Sequence, residues 1–191
     1  MKTLLRSTDA KLILEFRNGN NKSLEVLIYR YKDKIFSSIL FLVKDKYLAE
    51  DLFQDTFIKI IDTIRDDSYR EEGKFLSYAM RIAHNVCVDH FRKVKRVQFV
   101  ESDDNLFTIS NLTEQAADKN IIRLQTGDRI RQLLDLLSED QREVIVLRHF
   151  ANLSFKEIAE MTNCSINTAL GRMRYALTNM RKLLEEKQFA L

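Results

Sequence analysis

LSEDQREVIVLRHFANLSFKEIAEMTNCSINTALGRMRYALTNMR, residues 137–181, is the stretch that decides how the chain is read. Three helix starts are written into it. Ser138 with Gln141 and Ser154 with Glu157 have capping-box spacing, and Ser165 opens a third helix by the same N-cap logic. The second helix is short, Phe155 to about Met161, and a tight Thr162-Asn163-Cys164 turn follows it. The third runs past Leu177 without a breaker. A short helix, a three- to four-residue turn and a longer helix make a helix-turn-helix.

At helical period, Ile166, Leu170, Met173, Leu177 and Met180 fall on one side of the third helix, which is therefore expected to be buried. Thr168, Gly171, Arg172 and Tyr175 take the other side, flanked by Asn167 and Arg174. Hydroxyls, an amide, two guanidiniums and a small residue suit a helix pressed into the major groove. A solvated face on an ordinary αα-hairpin would carry the same period, so the reading needs its context.

The chain has 191 residues, with 31 Lys+Arg against 28 Asp+Glu. The net charge of +3 says less than its distribution. Residues 1–97 hold 19 basic and 14 acidic residues, 98–120 hold 1 and 5, and 121–191 hold 11 and 9. Two mildly basic blocks are thus joined by an acidic segment. With no proline and 4 glycines, helix breakers are scarce, and no convincing strand is visible. No apolar run reaches the ~18 residues of a membrane span, and the polar N-terminus lacks a secretory apolar segment. Cys87 and Cys164 suggest no disulfide framework, which fits a cytoplasmic location.

Taken in order, Thr8 or Asp9 can cap a first helix that Gly19 ends, and a second helix spans about Asn21 to Val43. The third, Asp45 to about Ile64, has a broad apolar side of Leu48, Ala49, Leu52, Phe53, Phe57, Ile60 and Ile64. Opposite lie Asp51, Gln54, Asp55, Ile58 and Asp62. This acidic patch with one bare isoleucine is either plain solvated surface or a docking face for a basic partner.

After the polar loop Arg65–Gly73, a fourth helix runs from Lys74 to about Val97. Phe75, Leu76, Ala79, Ile82, Ala83, Val86, Cys87, His90, Phe91 and Val94 form its apolar side. Lys74, Tyr78, Arg81, Asn85, Asp89, Arg92 and Arg96 form a single stripe along the other side. Cations interleaved with an aromatic, an amide and a carboxylate suit nucleic acid: rings and amide edges for unstacked bases, charge for phosphates. His84, Cys87 and His90 do not make a metal set, because His84 and His90 diverge around the helix and no fourth ligand has zinc spacing.

Gln98 to Ala117 loses the helical period and reads as a linker, with helix resuming near Thr113–Glu114 and continuing through Leu137. The expected fold is all-α: two small helical domains joined by a flexible linker, the C-terminal one a helix-turn-helix. The expected boundaries are 1–97, 98–117 and 118–191.

In this order the pieces resemble bacterial RNA polymerase sigma factors of the extracytoplasmic-function (ECF) group. AEDLFQDTF at Ala49–Phe57 looks like the family's core-binding helix, GKFLSYAMRIAHNVCVDHFRK at Gly73–Lys93 its promoter-melting and minus-ten helix, and the C-terminal stretch its minus-35 reader. The resemblance implies polymerase binding by Glu50, Asp51, Gln54, Asp55 and Ile58. It implies minus-ten contacts along the Lys74–Arg96 stripe. It implies minus-35 contacts from Lys156, Ser165, Asn167, Thr168, Gly171, Arg172, Arg174 and Tyr175. Tyr78 stands where the family usually has tryptophan, while Asn85, Asp89 and Arg92 match its residues. His84 replaces a common arginine. The family's frequent Val-Lys-Ser-Arg is Ala169, Leu170, Gly171 and Arg172 here, so only the arginine is kept. The implied partners are core RNA polymerase, promoter DNA and an anti-sigma factor, with no membrane insertion and no cofactor. The rival reading is a stand-alone helix-turn-helix regulator, to which the acidic patch is unsuited. No paired-carboxylate cleft, nucleophile-base set or phosphate loop points to an enzyme.

Overall fold

The computed structural model describes residues 6–70, 72–101 and 130–186, and all regular structure in them is helical. Helix α1 spans Asp9–Arg17, α2 Asn21–Val43, α3 Lys46–Arg65 and α4 Phe75–Glu101. Residues 130–135 are helical and lead into α5 Glu139–His149, α6 Phe155–Met161 and α7 Ile166–Glu186.

The boundaries follow from local chemistry. Thr8 caps α1, its hydroxyl accepting from the Lys11 amide at 3.4 Å. Gly19 (φ +92°), past the end of α1, takes a conformation that side chains resist. Asn20 caps α2, and Asp45 caps α3 by accepting from the Leu48 amide at 2.9 Å. Ser154 and Glu157 form the expected reciprocal capping box on α6. Ser138 departs from expectation: it stands at the N-cap of α5 but makes no side-chain capping bond. The Gln141 amide oxygen accepts instead from Asn179 of α7 at 3.0 Å. A tertiary contact has taken the side chain that the local motif would have used.

The N-terminal helices close on Leu12, Ile35, Ile39, Ile60, Ile64 and Phe75, each at most 1% exposed. Helix α1 packs on α2, α2 on α3 and α4, and α3 on α4. Truncating one such residue to alanine costs about 2–5 kcal/mol through lost burial and the cavity left behind. In the C-terminal half, α7 packs on both α5 and α6. The two halves meet where α2 lies on α5, and their buried residues form one continuous apolar cluster. The sequence alone left that relation open.

One expectation needs correction, and another falls outside the described residues. Helix α4 does not stop at Val97; its backbone stays helical to Glu101, inside the expected linker. No proline or glycine interrupts residues 98–101, so nothing local forces an end there. The expected helix restart near Thr113–Glu114 and the boundary at 118 lie outside the described residues.

Arg17 fixes the loop after α3. Its guanidinium donates to the Ile64 carbonyl at 3.2 Å and the Tyr69 carbonyl at 2.5 Å, and pairs with Asp67 at 2.7 Å. Replacing Arg17 with alanine should lower unfolding free energy by about 2 kcal/mol, and lysine should restore little of it because it lacks the fork. Urea denaturation of the two variants measures this.

Candidate nucleic-acid interface

The α4 stripe forms as expected. Lys74 sits just before the helix, its carbonyl accepting from the Tyr78 amide at 3.0 Å. Lys74, Arg81, Asn85, Asp89, Arg92 and Arg96 are exposed. Tyr78 differs from the others, being half-buried. Its ring lies 4.4 Å from Tyr69 and 6.5 Å from Phe75, centroid to centroid. Burial pushes its phenol above the usual range, offset in part by the Thr63 hydroxyl.

Beside Tyr78 opens a cleft of about 500 Å³ between α3, α4 and the loop at Asp66–Ser68. Asp62, Thr63 and Ser68 line one wall, and Tyr78, Asn85 and Asp89 the other. The sequence placed Asp62 with the α3 docking patch; the structure puts it in this cleft instead. Thr63, Ser68 and Tyr69 were not singled out from sequence. A tyrosine inside the polar run RDDSYREEG was the one available signal, and Tyr69 is 5% exposed.

Position 84, where the family commonly has arginine, is turned away from the stripe. His84 is 4% exposed, and its Nε2 lies 2.8 Å from the Glu143 carboxylate of α5. Met80, 2% exposed, is buried as well, whereas Phe91 is 41% exposed. Helix α4 therefore buries a wider arc than its apolar residues mark, because the C-terminal helices cover part of it. Cys87 is buried, which pushes its thiol up to about 12. Among the described residues, no group of three or more His, Cys, Asp or Glu could hold a metal ion.

On α7 the buried residues are Ala169, Met173 and Ala176, while Ile166, Leu170 and Leu177 are 43–46% exposed. The buried side is thus rotated by roughly 50° from the expected one, about half a residue step at ~100° per residue. The small alanines let α7 sit close against α5 and α6. Lys156, Ser165, Asn167, Thr168, Arg174 and Tyr175 are exposed, with Tyr175 at 67%. Ser165 Oγ accepts from the Thr168 amide at 3.0 Å and meets its hydroxyl at 2.8 Å. Gly171 lies within the outward arc, and a Cβ built there would meet nothing within 4 Å. Arg172 is tied down: its side chain is 26% exposed and pairs with Asp140 of α5 at 2.8 Å.

On α3, Glu50, Asp51, Gln54, Asp55 and Ile58 all face outward, Ile58 at 55%. Tyr47, 76% exposed, lies one turn before Asp51 on the same side.

Comparison with known proteins identifies what carries these surfaces. Residues 27–97 match Sigma-70 region 2, and residues 127–178 match Sigma-70 region 4. The RNA polymerase sigma factor YlaC of Bacillus subtilis is 30% identical over 170 residues, covering 87% of this chain and 96% of its own. This chain belongs to the ECF group of sigma factors. The ECF RNA polymerase sigma factor SigW of the same organism is 27% identical, covering 92% of this chain and 96% of its own. The fold agrees with the solved structure of sigma factor RpoE in complex with the anti-sigma factor NepR from Bartonella quintana. Its TM-score is 0.64 at 22% identity, covering 86% of this chain and 98% of that one. In this sigma factor the region 2 match takes in the α3 patch and the whole stripe, and the region 4 match takes in α5, α6 and most of α7.

The helix-turn-helix of this sigma factor supplies a pH test. The Ser154 amide and hydroxyl hold the Glu157 carboxyl below its usual range, with Lys74 and Arg81 adding to the effect. A carboxyl whose folded pKa lies below its unfolded pKa contributes stability above the unfolded value and loses it as pH falls through the folded one. Glu157→Gln should therefore be less stable than wild type at neutral pH, and the difference should shrink at acid pH, as the carboxyl takes up its proton. Urea unfolding at the two pH values reads it out.

Proposed function

We propose a division of labour for a transcription initiation factor that directs core RNA polymerase to promoters. The outward acidic face of α3, from Glu50 through Asp51, Gln54 and Asp55 to Ile58, docks on a basic surface of the polymerase. Its apolar tip at Ile58 supplies burial, while the carboxylates supply register and selectivity. The α4 stripe takes the minus-ten element, and α7 with Lys156 of α6 takes the minus-35 element. The domain organisation that goes with this is an N-terminal unit through residue 97, a linker over 98–117 and a C-terminal unit from 118.

The observation that carries the reading is the cleft at the head of the stripe. A recess of about 500 Å³ is within the ~300–1,000 Å³ typical of sites for small ligands. Amide, hydroxyl and carboxylate groups line it, which suits the hydrogen-bonding edge of an unstacked base. Capturing such a base offsets the few kcal/mol of unstacking and so favours an open duplex. The exposed cations Arg92 and Arg96 further along offer mainly charge to phosphates. A chemical step by the chain itself is no part of this reading. The working location is the cytoplasm, and no helix among the described residues is long and apolar enough to cross a membrane. Because the RpoE relative was solved with an anti-sigma factor, we assign this chain a controlling partner of the same class.

Three outcomes test the assignment. Asp51→Ala with Gln54→Ala should abolish core-polymerase binding while the melting temperature is kept; wild-type affinity would sink the α3 assignment. Tyr78→Ala and Asn85→Ala should slow transcription from a duplex promoter and recover on a template with a pre-melted bubble, since stacking losses of about 1–3 kcal/mol per base act on opening. Arg92→Ala should not recover on the bubble, and its defect should be masked by added salt. Equal defects on both templates would reduce the stripe to charge alone. Arg172→Ala should weaken a minus-35 duplex by about 1–3 kcal/mol. Asp140→Asn should strengthen it at low salt, because it releases the guanidinium from its internal partner.

A further inference from the structure

Arg17 bonds outside its own helix. It is the last residue of α1, and its side chain is 26% exposed. Its Nε donates to the Ile64 carbonyl at 3.2 Å and one terminal nitrogen to the Tyr69 carbonyl at 2.5 Å. The other terminal nitrogen pairs with the Asp67 carboxylate at 2.7 Å. Ile64 belongs to the last turn of α3, and Asp67 and Tyr69 to the loop that follows. Arg65, which ends α3, holds its guanidinium 5.7 Å from the centre of the Phe16 ring, one residue before Arg17. The end of α1 thus clasps both ends of the turn between residues 64 and 69.

That turn needs holding. Asp67 takes φ +55°, a left-handed conformation that aspartate tolerates but does not favour. The Asp67 amide returns to the Ile64 carbonyl at 3.4 Å, longer than the ~2.9–3.0 Å usual for such a bond. A planar guanidinium that spans the Ile64 and Tyr69 carbonyls fixes the distance between the two ends of the turn, which a single ammonium on a flexible stem does not. It also sets a cation against the C-terminal carbonyls of α3, where the helix dipole favours one.

The turn carries one wall of the cleft beside Tyr78. Asp66 and Ser68 line that wall. Tyr69, 5% exposed, packs its ring 4.4 Å from Tyr78 and 6.0 Å from Phe75. A shift of the Tyr69 backbone is therefore passed to the Tyr78 ring, because close-packed side chains transmit strain. Arg17 does not itself line the cleft, and its three engaged nitrogens face protein acceptors.

We propose that Arg17 is a positioning residue for promoter opening: its guanidinium fork holds the loop after α3 so that Tyr69 sets the Tyr78 ring for an unstacked base. This role rests on the assignment of the cleft to such a base. It puts a determinant of opening in α1, ahead of the residues that match Sigma-70 region 2. It also sets Arg17 apart from Arg92 and Arg96 of the stripe, which are exposed and offer charge directly.

The test uses the full chain with core polymerase, below the melting temperature of the weakest variant. Arg17→Ala and Arg17→Lys should keep their helical content and bind core polymerase as tightly as wild type. Both should slow opening of a duplex promoter at least about fivefold, as a ring displaced from a stacking contact would. Permanganate reactivity of unpaired thymines in the minus-ten element reads the opening. A pre-melted bubble should restore transcription, and added salt should not mask the defect, since no phosphate contact has been lost. Arg17→Ala combined with Tyr78→Ala should open no more slowly than Tyr78→Ala alone, because both act through one ring. Normal opening by either Arg17 variant, or losses that add in the double variant, would overturn the role. So would a defect that salt masks, which would make Arg17 a phosphate contact. Equal losses on duplex and bubble, or weakened polymerase binding, would make it merely structural and overturn the role as well. If Tyr78→Ala and Asn85→Ala also open the duplex normally, the cleft assignment fails and the role of Arg17 falls with it.

Discussion

Helix α4 has more to touch than one helix has faces for, and that constraint shapes the molecule. One arc, with Phe75, Ala79, Ala83 and Val86, must fill the N-terminal core. A second, with His84, is covered by α5. The third, with Arg81, Asn85 and Asp89, is exposed. A helix buried over one stripe can be apolar there and polar elsewhere. Here the second arc is covered through a polar pair instead, the buried His84 ring meeting the Glu143 carboxylate beside a residual cavity.

The loop after α3 shows a related economy. The cleft wall at Asp66–Ser68 has no secondary structure of its own to hold it. Arg17 supplies the missing rigidity by donating to two backbone carbonyls and pairing with Asp67. Tyr69 then packs against Tyr78, the ring planes tilted by 46° to each other. A cleft wall built on a loop is thereby held by a cation from α1, a helix that lies outside both matched family regions.

Much of this was legible in the sequence, for identifiable reasons. Ser154, Asp45 and Thr8 cap their helices because capping is local chemistry, decided within four residues. The stripe from Lys74 to Arg96 was visible because no apolar residue interrupts its period. The failures are tertiary. The α7 wheel followed the large residues Ile166, Leu170 and Leu177, whereas close packing selected Ala169 and Ala176. Helix wheels weigh hydrophobicity, but tight helix contacts weigh size. His84 and Met80 were placed on neither side of α4, because nothing within the helix reveals what will cover them. Gln141 was read as a cap partner and became a tertiary one through Asn179. The α3 wall of the cleft escaped for the same reason: Asp62 and Thr63 meet Tyr78 and Asn85 only once α3 and α4 are packed.

Gly171 gives α7 room to change. It interrupts neither α7 nor its packing, and the space above it is empty. In a helix interior glycine is less favourable than alanine by about 1 kcal/mol, so almost any side chain placed there starts from a gain in helix propensity. The family's frequent serine at the corresponding place is one such side chain. A single substitution there alters the outward arc of α7 at a position where the fold exacts no toll. A duplicated copy of the gene would be one codon away from a different outward arc, while the α3 patch and the helical core stayed as they are.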